Sequence, residues 1–83
     1  MTEVRVPDIG AADIRVGTWL VDVGDEVMEG DRLVELSSPG VIFDVASPAD
    51  GMITRIAVLT GSSITPGELL GQIDDFSAAG STS

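Results

Sequence analysis

The 83 residues include no cysteine, histidine, lysine or tyrosine. Each absence removes a chemistry. Without cysteine there is no disulfide and no thiol nucleophile. Without histidine the usual general base near neutral pH is gone, and zinc could be held only by carboxylates. Without lysine there is no side-chain amine to acylate; the four basic residues, Arg5, Arg15, Arg32 and Arg55, keep their protons and are poor acceptors. Positive charge is scarce as well, and the net charge is −10. That balance argues against nucleic acid, whose binding rests on cations neutralising phosphates, and against anionic membrane surfaces. It fits either a soluble, monomeric domain or steering toward a basic protein partner. Long apolar runs are missing too. Ile56-Ala57-Val58-Leu59 is far too short to span a bilayer. Met1–Val6 lacks the basic-then-apolar order of a signal peptide, so a cytoplasmic location is expected.

No Gly-x-Ser-x-Gly elbow or phosphate loop is present. Ser37-Ser38 and Ser62-Ser63 read as turn residues with no base to activate them. Asp22, Asp25, Glu26, Glu29 and Asp31 cluster, but without the ligand spacing and sixth-place glycine of a calcium loop, so they read as a solvated acidic face. The sequence supports no catalytic residues and no metal site in this chain.

What is present is turn-rich β sequence. A chain of this length makes one small domain and buries about 60–65% of its unfolded surface. Ten glycines and four prolines with few aromatics suit an all-β fold. The central stretch runs from Leu33 to Gly51. Leu33, Val34 and Leu36 flank Glu35; Val41, Phe43 and Val45 then form a period-2 set, with Asp44 and Ala46 on the opposite parity. Alternation of this kind marks half-buried strands. Between them, Ser38-Pro39-Gly40-Val41 predicts an exposed type II turn, with Pro presetting φ at the second position and Gly supplying positive φ at the third.

The flanks are also strands. Glu3–Val6 alternates and stops at Pro7-Asp8-Ile9-Gly10. Ile14–Val23 reads as one long strand with Ile14, Val16 and Leu20 inward. Trp19 is either an exposed recognition residue or part of the packing; tryptophan's high average burial favours packing. Met52–Leu59 reads as another long strand and Leu69–Ile73 as the last. Residues 1–74 form the expected domain, and 75–83, rich in Ser, Ala and Gly, the expected flexible tail or linker start.

A repeat ties these strands together. Gly24, Val27, Gly30, Asp31, Leu33 and Leu36 recur as Gly61, Ile64, Gly67, Glu68, Leu70 and Ile73, each 37 residues later. Two copies in so short a chain imply two similar half-sheets about a pseudo-twofold axis, each burying one apolar face against the other.

Three features carry a family resemblance: the repeat, the opening Val6-Pro7-Asp8-Ile9-Gly10, and the hairpin that runs into Ser47-Pro48-Ala49-Asp50-Gly51. Together, over about residues 3–73, they resemble lipoyl and biotinyl carrier domains, most nearly the lipoyl domain of dihydrolipoamide acyltransferases. The resemblance implies a flattened barrel of two four-stranded antiparallel sheets with pseudo-twofold symmetry, and lipoate on a tip lysine. Aligned without gaps, the family's Asp-Lys tip falls on Pro39-Gly40, so Gly40 stands where the lipoyl lysine would be, flanked by Ser38 and Pro39. The resemblance therefore comes with an expected absence of cofactor. In that family the loop after Gly10 sits beside the tip and helps a decarboxylase recognise the domain; the segment from Gly10 to Trp19 is shorter than usual. Asp8, Gly10, Asp13, Trp19 and Asp44 are the candidate partner-binding residues. The expected role is a non-catalytic scaffold or recognition module of an acyltransferase or related complex, monomeric in isolation. An alternative makes the chain the N-terminal part of an acyltransferase-type enzyme that works without a swinging arm. A third, an adaptor of the membrane-fusion type, lacks the coiled-coil flanks and membrane segments it would need.

Overall fold

The computed structural model describes residues 1–10 and 12–75. They form eight strands: β1 Thr2–Arg5, β2 Ile14–Trp19, β3 Glu26–Val27, β4 Arg32–Ser38, β5 Val41–Ala46, β6 Gly51–Ile56, β7 Ser63–Ile64 and β8 Leu69–Asp75. Two antiparallel sheets result, ordered β1-β8-β6-β3 and β5-β4-β2-β7. Among the described residues, no helix is long and apolar enough to cross a membrane. The all-β double sheet expected from the alternation is present.

The repeat is structural. The bounds of β2, β3 and β4 move onto those of β6, β7 and β8 by 37 residues (14 to 51, 26 to 63, 32 to 69). Exchanging β1–β4 with β5–β8 turns one sheet order into the other. The irregularities repeat as well. β4 slips its register against β5 between Arg32 and Val34, and β8 slips against β1 opposite Val4 and Arg5, between Gly71 and Leu69. These are the same positions 37 residues apart.

One expectation needs correction. The halves do not each form a sheet. Each sheet takes two strands from each half: β1 and β3 with β6 and β8, β2 and β4 with β5 and β7. The reason lies in the segments after β2 and β6, which read in sequence as strand continuations to Val23 and Leu59. β2 ends at Trp19, and the chain crosses to the other sheet. There the Gly24 amide donates to the Ile53 carbonyl at 2.7 Å and the Ile53 amide to the Asp25 carbonyl at 2.9 Å. The second half returns the same bonds: Gly61 amide to Val16 carbonyl at 2.7 Å, Val16 amide to Ser62 carbonyl at 2.9 Å.

The core lies between the sheets, where Ile14, Leu33, Val34, Leu36, Leu70 and Ile73 are essentially inaccessible. Leu20, expected inward, is 44% exposed. β2 slips its register between Val16 and Trp19, which resets the alternation, so that Trp19 turns toward the core and Leu20 away. Along β5 burial falls toward the hairpin tip: Val45 is buried, Phe43 half-buried and Val41 48% exposed. β8 runs through Asp75, one residue past the expected boundary, and Thr2 Oγ1 donates to the Asp75 carboxylate, joining the two ends of the domain. The rest of the expected tail, 76–83, lies outside the described residues.

Gly51 stands where this interlocking is tightest. It pairs with Val27 of β3 on one side and Asp75 of β8 on the other. A Cβ there would meet the Asp74 carbonyl oxygen and, at 2.6 Å, Ile73 Cγ2. Because the obstacle is backbone and a fully buried side chain, it cannot swing aside. Gly51→Ala should therefore lower unfolding free energy by about 1–3 kcal/mol, as overpacking does, in urea titrations followed by Trp19 fluorescence.

Candidate hairpin-tip site

β4 and β5 pair from Arg32–Ala46 up to Ser38–Val41, leaving only Pro39 and Gly40 as the loop. Gly40 has φ +81°, while Asp13 is the one non-glycine residue with positive φ among the described residues. A negative φ at Pro39 followed by a positive φ at Gly40 is the sense of a type II turn, as the sequence predicted. Both residues are exposed.

A loop leans on this tip. The Ser38 hydroxyl donates to the Ala12 carbonyl at 2.5 Å. The loop's length follows from broken symmetry. Val4 pairs with Gly71 as Val45 pairs with Val34, so β1 and β5 are 41 residues apart where the other strands are 37 apart. The link between β1 and β2 is thus four residues longer than the link between β5 and β6, and the extra length reaches the tip. Gly10 (φ +74°) and Asp13 (φ +54°) supply the left-handed bends, and the Gly10 amide approaches Asp8 Oδ1 at 3.4 Å.

Two open depressions flank the tip. One, of about 420 Å³, is lined by Asp13, Arg15, Ser37, Ser38 and Pro39. The other, of about 460 Å³, is lined by Ser37, Ser38, Gly40, Val41 and Ile42. The two ion pairs among the described residues, Arg5–Glu3 and Arg32–Asp44, leave Arg15 without one. The groups within the tip's reach are thus hydroxyls, one carboxylate, one guanidinium and aliphatic carbon. None is an amine, since the chain has no lysine.

The candidate partner-binding residues do not all gather here. Asp13 lines the first depression, and Asp8 and Gly10 belong to the same loop. Asp44 sits on β5 three residues from Val41, bonded to Arg32 at 3.5 Å. Trp19 stands apart. It pairs with Val34, four residues down β4 from Ser38, or about 13 Å along the strand. It is half-buried against the core, and its Nε1 donates to the Val58 carbonyl at 3.1 Å. Of its two readings, packing holds. Arg15, Ser37 and Ile42 were missed as site residues. The period-2 signal that marks β5 could have found Ile42, but nothing in the sequence marked Arg15 as a neighbour of the tip, because that depends on the register of β2 against β4.

Comparison with known proteins bears on this geometry. The model of a biotin/lipoyl family, described as biotin-requiring enzyme, matches residues 2–73. The dihydrolipoyllysine-residue succinyltransferase component of the 2-oxoglutarate dehydrogenase complex of Escherichia coli K12 is 31% identical over 80 residues, 94% of this chain and 20% of that protein. The dihydrolipoyllysine-residue acetyltransferase component of the pyruvate dehydrogenase complex of Azotobacter vinelandii is 38% identical over 69 residues, 82% of this chain and 11% of that protein. The chain thus spans a fifth or less of these relatives. Among solved structures, the lipoyl domain of the 2-oxoglutarate dehydrogenase complex from Azotobacter vinelandii superposes with a TM-score of 0.70 at 26% identity, covering 87% of this chain and 96% of that one.

Among the described residues, the Ser38–Ala12 bond is the one side-chain hydrogen bond between loop and tip. Ser38→Ala should cost about 0.5–1 kcal/mol, the low end for an exposed hydrogen bond. Amide exchange should quicken at Ala12 and Asp13 while β2 and β4 keep their protection.

Proposed function

The chain belongs to the biotin/lipoyl domain family, and on that premise we propose that it is a carrier-type domain whose tip does not take the cofactor and which serves an acyltransferase-type complex as a protein-interaction module. One observation carries the reading. Where the family's attachment lysine is expected, the chain has Gly40 at φ +81° behind Pro39, and no other side chain offers an amine. Lipoate and biotin are joined through an amide, which needs an unprotonated amine as nucleophile. The hydroxyls of Ser37 and Ser38 and the guanidinium of Arg15 do not supply one. The residues at the tip therefore do not fit the group, and no step is routed through it.

Two further features support a binding role. The net charge of −10 favours encounter with a basic protein surface. The relatives are named as components of the 2-oxoglutarate and pyruvate dehydrogenase complexes, which makes an assembly of that kind the natural setting. A second reading rests on the fraction of those relatives that is matched: the domain is one part of a longer acyltransferase-type enzyme that loads its acyl group without a swinging arm. A catalytic domain with a histidine and an aspartate downstream in the same reading frame would favour it.

The test is intact mass after co-expression with a lipoate ligase and, separately, with a biotin ligase. No added mass is expected; a lipoylated or biotinylated species would sink the proposal. The converse experiment installs the family's tip. Gly40→Lys alone keeps a side chain at positive φ, at about 1–2 kcal/mol. Pro39→Asp with Gly40→Lys frees the turn to change type. The double variant should gain the mass of one lipoyl group if the tip is the whole defect. A folded double variant that stays unmodified would show that the neighbouring loop also bars the ligase.

A further inference from the structure

The two sheets end differently. The edge strand β1 carries Glu3 and Arg5, paired at 2.8 Å, and Arg5 also donates to the Gly67 carbonyl. Charges on an edge strand discourage other chains from adding to it. By the 41-residue offset, Glu3 corresponds to Asp44 of β5 and Arg5 to Ala46, so the other edge does not repeat that guard. Instead its tip half is apolar: Val41 is 48% exposed and Ile42 72%.

The backbone there is free. In a hairpin closed by two residues, Ser38–Val41 exchange hydrogen bonds, then Leu36–Phe43, in alternation. Ile42 and Asp44 then turn their N–H and C=O away from β4. Among the described residues, no backbone hydrogen bond from another element reaches either.

The side chains say what would complete this edge. Asp44 lies directly across from Glu35 of β4, two acids face to face, an arrangement that destabilises a sheet. Arg32 relieves it in part, from 3.5 Å and largely in solvent. Two residues along the same face, Ile42 borders the 460 Å³ depression beside the tip. A second copy would fit poorly, since it brings another net charge of −10 to an acidic edge.

We propose that the Ile42–Asp44 edge of β5 is a strand-docking site for an extended segment of a partner protein in which a basic and an apolar residue stand two apart. The basic residue meets Asp44 and Glu35, the apolar one covers Ile42, and backbone bonds to Ile42 and Asp44 add a fifth strand to the sheet. The proposal rests on the reading of the chain as an interaction module and names its surface. The two can fail separately: a lipoylated product leaves the edge as it is, and an edge that binds nothing leaves the tip without an amine.

The probe is a blocked peptide, Thr-Lys-Thr-Val-Thr-Lys-Thr, titrated into the labelled full chain and followed by amide exchange and chemical shifts. At saturation, exchange at Ile42 and Asp44 should slow by about tenfold or more, equivalent to about 1.4 kcal/mol of added protection. The same peptide N-methylated on its edge-facing amides should not bind. Ile42→Lys, at an exposed position and so expected to keep its melting temperature, should abolish binding. Unchanged exchange at millimolar peptide would overturn the proposal, as would equal binding of the N-methylated peptide or shifts spread over the Asp22–Asp31 face. Protection that rises with protein concentration alone would make a second copy the occupant and overturn it too.

Discussion

Each half of this chain finishes its backbone hydrogen bonds on the other half. Gly24 and Asp25 bond to Ile53, and Gly61 and Ser62 return the same bonds to Val16. Around them each sheet holds two strands from each half. Neither half can satisfy its buried amides and carbonyls alone, and an unpaired buried group costs about as much as a lost hydrogen bond. The repeat is therefore a pair of interlocked hooks. Gly51 is confined by that interlocking, held between strands β3 and β8 with no room for a methyl group.

Symmetry also explains what is special about the tip. The hairpin's twofold counterpart is the place where β8 meets β1, where Thr2 and Asp75 join the two ends of the domain. One corner is closed by a turn and the other by the bond from Thr2 to Asp75. The first has acquired a four-residue-longer loop, tied to it through Ser38 and Ala12. The core is shared by both corners, so the difference between them is made at the surface. An arginine without an ion pair, two serines and two exposed aliphatic residues gather there on an otherwise acidic domain. No lysine stands at this corner.

Most of the fold was legible because its two signals are local. Alternation across Leu33–Val45 marked the hairpin, and six matched positions at one offset marked the symmetry. The misreading of β2 has a local cause. Alternation assumes an unbroken pleat, and β2 slips between Val16 and Trp19. That slip sent Leu20 outward and Trp19 inward, and it hid the crossing after which Gly24 bonds to Ile53 of the opposite sheet. Asp13 was rightly associated with the tip, but Arg15 and Ser37 were not, since their approach depends on pairing between strands far apart in sequence.

The sequence by itself determined the strand content, the duplication, the type II turn at Pro39-Gly40 and the want of any side-chain amine, because residue identity and short-range φ preference settle all four. Only the tertiary structure decided how the halves share two sheets, that Arg15 and Ser37 approach the tip, and that the β5 edge is apolar near the tip and acidic at Asp44 where β1 carries an ion pair. Those depend on register and on bulges. A shift of one residue turns every side chain to the opposite face, and it is the packing of the whole core, not any single stretch, that selects among the shifts.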